Sequence, residues 1–324
     1  MVEPILLHNA EITGAYIPNT WTYEKFLSHM WDVGKEANKV VIGFVRQLLG
    51  VHKKTTNIAV LAETGKYPIA INIFNRIIKY WIRVSQSENR LLSGAVEANR
   101  ILVQNNKQNW ERIILFLFKA LNMNINDATG KVEVTNLKLK LQNLYREWWK
   151  SRAKPTGVNK LDFYYKYKKA FEYEKYLDNI PRYIRIYITR LRLSSHSFPI
   201  EILRYCKNRK SRENRICHIC NSNMVGDEEH YLLKCNNGEL CRIRENFMKN
   251  IKEEIPQLQT FTEKNVIDYC MLMHDPAIQM PVAIFAKHLL CMYREETQGK
   301  IQVERSPIVT RTGRISRKPN KLNL

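Results

Sequence analysis

The sequence predicts a mainly α-helical fold, an irregular multi-helix domain with a small zinc-knuckle insertion and a disordered basic C-terminal tail. Three observations lead there. Apolar residues recur at spacings of three and four along most of the chain, the signature of amphipathic helices. No two apolar segments of the N-terminal part are joined by a hairpin-type turn. Cysteines and a histidine with metal-ligand spacing interrupt the helical pattern beyond residue 206.

From Tyr23 to Met123 the periodicity runs through sets such as Phe44, Leu48 and Val51, or Ile73, Ile77, Tyr80 and Trp81. Gly50, the turn Gly65-Lys66-Tyr67-Pro68 and the polar run 104–109 punctuate it. Helices are expected near 23–49, 57–63, 69–86, 89–103 and 109–122. After the loop 126–130, Leu137, Leu141, Leu144 and Trp148 mark another helix, which Pro155 and Gly157 should end. Helices follow over 160–177 and 181–193, although the β-branched run Tyr183 to Thr189 also suits a strand. Pro199 opens a short helix before the cysteines. Helices over 237–254, 263–274 and 278–296 come after them, with Met271, Met273, Ile278, Val282, Phe285 and Leu289 on an apolar face. From Gln298 the polar, basic composition predicts disorder. The domain division is 1–149 helical, 150–205 basic and aromatic, 206–245 the zinc knuckle, 246–297 C-terminal helices and 298–324 tail.

Charge is concentrated. The net charge is +21, of which residues 150–215 carry +12 and residues 300–324 carry +6. Such localisation points to a polyanion as partner. The seven cysteines are odd in number and the N-terminus lacks a signal-peptide pattern, so an intracellular chain, nuclear or cytoplasmic and not secreted, is expected. Apolar runs such as 40–51 and 113–121 are too short to span a bilayer. In a reducing compartment clustered cysteines bind metal more often than they form disulfides.

Cys217 and Cys220 are two residues apart, and His230 and Cys235 follow after a loop-forming stretch. A two-residue gap lets one tight turn aim both sulfurs at a single ion, and four such ligands make a closed tetrahedral zinc site. Zinc in a closed shell holds a fold together and activates no water. His218 and Cys241 are alternative ligands, with Cys206 more distant; Cys270 and Cys291 read as core residues.

Upstream of the cluster, cations alternate with aromatics, from Phe163-Tyr164-Tyr165-Lys166-Tyr167-Lys168-Lys169 to Arg190, Arg192, Arg204, Lys207, Arg209, Lys210, Arg212 and Arg215. Cations neutralise phosphates and exposed rings stack on unpaired bases, a combination that favours RNA or single-stranded and irregular DNA. Lys207, Arg209, Lys210, Arg212 and Arg215 are the leading phosphate contacts. No small-molecule substrate and no membrane partner are expected, and the oligomeric state is not readable. His196 with Glu201, or Asp227, Glu228 and Glu229, could serve acid-base chemistry, yet acidic residues there suit a helix start better. A helical protein-interaction module with a structural zinc site is the rival class.

Three landmarks resemble the C-terminal part of reverse transcriptases from non-LTR retrotransposons, downstream of the polymerase palm. The first is Leu48-Leu49-Gly50-Val51 with Asn57 to Pro68. The second is Leu191 to His196 with Pro199-Ile200-Glu201 and Arg204-Tyr205. The third runs from Arg215-Ile216-Cys217 through Asp227 to Leu233 and Cys235, similar to the family's terminal Cys-Cys-His-Cys domain. They extend over roughly residues 40–245 in the family's order, and the tail 310–316 looks like basic tails of mobile-element proteins. The pattern departs at Ala62 and Leu203, where glycine is expected, and at His218, where proline is more frequent. No Asp-Asp pair occurs in the chain, so the metal-binding motif of a polymerase palm is missing and two-metal nucleotidyl transfer is not expected. The resemblance implies an accessory part that grips template RNA or target DNA.

Overall fold

Because helix periodicity dominates, the elements are helices in chain order. The computed structural model describes residues 3–13, 17–18, 20–105, 107, 110–124, 136–154, 160–206, 208–254 and 269–297. They form α1 (Glu3–Leu6), α2 (Ala10–Thr13), α3 (Tyr23–His29), α4 (Lys35–Leu49), α5 (Asn57–Glu63), α6 (Ala70–Ser85), α7 (Arg90–Gln104) and α8 (Glu111–Ala120). These are followed by α9 (Leu137–Arg152), α10 (Asp162–Tyr167), α11 (Tyr176–Asn179), α12 (Arg182–Arg192), α13 (Pro199–Ile202), α14 (Gly238–Glu254), α15 (Tyr269–His274) and α16 (Gln279–Thr297). Among the described residues there is no strand, only isolated bridges at Thr64 with Tyr173 and Ile216 with Val225. No described helix is long and apolar enough to cross a membrane. The expected tail 298–324, the helix start at 263 and the stop at Pro155 and Gly157 lie outside the described residues.

Periodicity located the helices better than their interruptions. The expected helix 23–49 breaks after α3 into a 3₁₀ turn, Met30–Asp32, and resumes at Lys35. Gly34 explains the break: its φ of 68° is left-handed, and an added Cβ would lie 2.6 Å from Ile73 Cδ1. The face of α4 also differs from expectation. Ile42, Val45 and Leu49 point inward, while Phe44 and Leu48 are exposed. The expected helix 160–177 divides into α10 and α11, because Glu174 N donates to Glu63 O at 3.1 Å and holds the intervening chain off the helical path. The Tyr183 to Thr189 run is helical, within α12. The short helices α1 and α2 were not foreseen.

Contacts divide the chain into two compact units, Met1–His196 with Phe247–Lys287, and Ser197–Asn246 with His288–Leu324. The basic segment 150–196 therefore belongs with the N-terminal helices, where sequence composition had separated it. The reason is packing. In the first unit α6 lies against α2, α7, α8 and α9. Trp149 of α9 is fully buried, edge-on to Tyr165 and Phe171, and α5 is buried from Ala59 to Glu63.

Glu63 is the centre of a buried polar network. Arg192 Nε donates to its Oε1 at 2.5 Å, Tyr176 Oη donates to the same oxygen at 2.7 Å, and Arg192 Nη2 reaches Glu174 Oε2 at 2.9 Å. Lys168 pairs with Glu174 and donates to Glu172 O at 2.8 Å. Tyr167 and Tyr176 lie under the guanidinium, 4.7 and 5.1 Å from its carbon. Burial drives Glu63 toward its neutral form, but the Arg192 charge, with Lys168 and Tyr176, outweighs burial and holds the carboxyl below its ordinary value.

Candidate metal centre

In the second unit, the chain turns back on itself between Ile216 and Val225. Cys217 N donates to Met224 O and Gly226 N to Arg215 O, both at 2.8 Å, closing a short hairpin that carries Cys217 and Cys220. Gly226 must be small: an added Cβ would meet Pro199 Cγ at 2.8 Å and Cys217 Cα at 3.1 Å. Asp227 then starts the helical turn. Its Oδ1 accepts from His230 N at 3.0 Å and its Oδ2 from Arg212 Nη2 at 3.0 Å. The next turn, His230–Lys234, is a π-turn, with His230 buried, and the chain extends at Cys235.

The ligand atoms of Cys217, Cys220, His230 and Cys235 all lie within 4.8 Å of one another and together could hold a metal ion. Cys217 Sγ is 4.0 Å from Cys235 Sγ, and Cys220 Sγ is 3.4 Å from His230 Nε2. Cys217, His230 and Cys235 are buried. The Cys235 thiol hydrogen-bonds Cys217 and, with His230 and Tyr231, pulls the Cys217 thiol down to about 3; the same contact and burial push Cys235 up. Two sulfurs this close cannot both ionise without a cation between them. The donors thus fit a thiophilic metal ion.

The three alternative ligands lie outside the cluster. Cys241 Sγ is 3.7 Å from Cys235 O, and the thiol of Cys206 is engaged with Leu203 O at 3.2 Å and Asn208 O at 2.8 Å. His218 is outside the group of four. Supporting residues escaped the sequence reading. Arg244 donates to Leu232 O and Cys235 O, each at 3.0 Å, and Asn237 bridges Ile219 O at 3.3 Å to the Leu240 amide at 3.1 Å. Phe198, Tyr231 and Tyr293 pack together behind the cluster, with ring centroids 4.3 to 5.1 Å apart. The proposed acid-base groups have structural partners: Glu201 pairs with Arg204 at 3.3 Å and Glu229 with Lys234 at 2.5 Å.

The nominated phosphate contacts separate into distinct environments. Contrary to the sequence expectation, Lys168 and Arg192 are not surface contacts, because both are buried in the Glu63 network. Arg190 Nε donates to Gly50 O at 2.9 Å, and Arg204 is half-buried beside Glu201. Arg212 holds Asp227, and Arg215 donates to Lys210 O at 2.9 and 3.1 Å and to Ile200 O at 3.3 Å, so both brace the hairpin. Lys166, Lys169, Arg209 and Lys210 are exposed, with Lys166 over the Phe163 ring. Lys207 lies outside the described residues. A cationic group of which composition marked only the Lys160 segment acts on His52 in the first unit: partial burial, with Lys54, Lys160, Lys53 and Arg46, lowers the imidazole pKa. The tandem Lys53-Lys54 was its other sequence signal. Comparison with family models, curated proteins and solved structures finds no match to this chain.

Proposed function

We propose that this chain is a non-catalytic, zinc-stabilised nucleic-acid-binding protein, related to the C-terminal part of a non-LTR retrotransposon reverse transcriptase and gripping RNA or single-stranded DNA. The observation that carries the reading is a closed ligand cluster fed by a loop whose Arg209 and Lys210 are exposed. Zinc suits three cysteines and a histidine, since a tetrahedron with bonds of about 2.0–2.3 Å has edges of roughly 3.5–3.8 Å. The separations of 3.4 and 4.0 Å bracket those edges. Four protein ligands leave no position for a reacting water, which favours a structural ion. The resemblance supplies the expected partner, and the localised positive charge agrees with it.

The test is elemental analysis of the purified protein with Cys217→Ser and His230→Ala, alongside oligonucleotide affinity over a salt series. One zinc per chain, lost in both variants, is expected. Arg209→Glu with Lys210→Glu should weaken binding and flatten the salt dependence by about two ions. A metal-free wild type, or binding that ignores salt, overturns the reading.

One observation favours a protein-interaction module instead. Val40, Phe44 and Leu48 form an exposed apolar stripe on α4, 54%, 59% and 42% accessible. Salt-independent binding to a protein partner, without oligonucleotide affinity, would select that reading.

A further inference from the structure

The first unit contains a cavity of about 350 Å³ whose wall combines rings, amides and charges. Trp31, Tyr145 and Trp148 supply the rings, and Asp32, Asn57 and Arg152 the polar groups. The volume falls within the range of small-ligand sites. Packing fixes the rings in place: Tyr145 stacks on Trp148 at 5.3 Å with planes 26° apart, and Trp31 stands edge-on to Tyr145 at 5.0 Å. The exposed Arg152 holds its guanidinium over Trp148, 4.9 Å from the ring centroid. A guanidinium held in this way is itself a plane on which a base stacks.

The polar groups suit the edge of a base. Asn57 Oδ1 accepts from Arg46 Nη2 at 2.6 Å, which leaves the amide nitrogen as a donor. The Asp32 carboxylate accepts hydrogen bonds, as an exocyclic amine requires. An aromatic pocket beside a carboxylate also suits a methylated ammonium, but Arg152 already places a cation on Trp148 and repels a second one.

Positive charge adjoins the cavity. Thr56 and Asn57 line it, and the chain immediately before them carries the exposed His52, Lys53 and Lys54. Successive Cα atoms are about 3.8 Å apart, so Lys54 stands within roughly 8 Å of the Thr56 backbone. Arg46 ties the two parts together, since the same Nη2 donates to Thr55 O at 2.5 Å. Lys54, Lys160, Lys53 and Arg46 all act on His52, so cations from separate chain segments meet at this loop. The loop is anchored: His52 N donates to Ser195 Oγ at 2.7 Å, and Arg190 and Arg182 hold Gly50 O and Gln47 O.

We propose that this cavity takes one unstacked base of a single-stranded nucleic acid, stacked against Trp148 and Arg152, while Lys53 and Lys54 hold the neighbouring phosphates. The assignment rests on the nucleic-acid reading above but concerns a different surface from Arg209 and Lys210. It makes binding base-dependent without making it sequence-specific, because every base has a stacking face.

The test compares a fluorescein-labelled oligonucleotide of about ten nucleotides with an abasic chain of equal length, in ribose and deoxyribose forms. Wild type should bind the intact chain about tenfold more tightly. Trp148→Ala should bring the two within about twofold while leaving the salt slope unchanged; Lys53→Glu with Lys54→Glu should weaken both equally and flatten the slope by about two ions. Because Trp148 packs on Tyr145, Arg152→Ala serves as the second variant, and it too should reduce the preference several-fold. Equal binding of intact and abasic chains by wild type overturns this site and leaves the zinc-linked reading standing. A preference that survives both Trp148→Ala and Arg152→Ala, or displacement of the oligonucleotide by choline, also overturns it. Absence of any oligonucleotide binding overturns both.

Discussion

Replacing Arg192 with Met should destabilise the protein strongly and leave the salt dependence of nucleic-acid binding unchanged. The guanidinium is fully buried and makes charge-assisted bonds to Glu63 and Glu174, besides donating to Met273 O. Met fills most of the volume but returns none of these bonds. Glu63, itself 0% exposed, would keep Tyr176 as a donor and only a more distant cation, Lys168. Leaving one partner of a buried ion pair uncompensated costs about 3–5 kcal/mol. The double interaction with two carboxylates places this case toward the upper end. For a domain of this size, about 2–4 °C per kcal/mol gives a fall in Tm of roughly 6–20 °C. Urea unfolding followed by circular dichroism measures it, with exposed Lys166→Met as a control expected to change stability by less than about 0.5 kcal/mol. A loss below about 1 kcal/mol, accompanied by a salt slope shallower by about one ion, would show that Arg192 faces a ligand and refute the network argument.

Three other outcomes are expected. Glu63 is held below its ordinary pKa, so its contribution to stability should be full above the carboxylate range and decline as pH falls through it; Glu63→Gln should flatten that limb of the stability profile, and an unchanged profile counts against the pairing. His52 is held below its ordinary pKa by partial burial, Lys54, Lys160, Lys53 and Arg46, with the Lys54 amide donating to its Nδ1 at 3.1 Å. NMR titration should find it neutral at neutral pH, and a bound oligonucleotide should raise its pKa; a downward shift on binding would place the phosphates elsewhere. Gly226→Ala forces a 2.8 Å contact with Pro199, a strain of about 1–3 kcal/mol, so chelator should strip the metal faster than from wild type; equal stripping rates would mean the hairpin tolerates the methyl group.

The Cys-Cys-His-Cys cluster was readable because its geometry is set locally: a two-residue gap and a single turn bring the ligands together. The choice between Cys235 and Cys241 was not readable. It depends on the π-turn at His230–Lys234, after which Cys235 completes the group while Cys241 lies against a backbone carbonyl. Helix positions were legible where burial is one-sided, as along α6. They failed where long-range contacts cut across periodicity, at Gly34 against Ile73 and at Glu174 bound to Glu63 O. The inward face of α4 was misread for a related reason. Phe44 and Leu48 have the right spacing for a core, but Ile42, Val45 and Leu49 have it too, and only packing chooses between the faces.

The charge distribution shows why composition alone misplaces a binding surface. A surplus of cations in sequence is divided by folding into those that satisfy buried carboxylates, those that tie down carbonyls and those left in water. Lys168 and Arg192 belong to the first group, Arg215 and Arg190 to the second, and Arg209 and Lys210 to the third. Folding thus withdraws Lys168 and Arg192 of the segment 150–215 from the surface. Meanwhile Arg46, Lys53 and Lys54, outside the segment that composition marks as basic, act together with Lys160 from within it on one loop beside an aromatic cavity. If that loop is the main phosphate contact, reversing Lys53 and Lys54 will weaken binding at least as much as reversing Arg209 and Lys210, although neither lysine lies in the segment that composition marks as basic. The ratio of those two losses, measured at one salt concentration, decides which unit grips the strand.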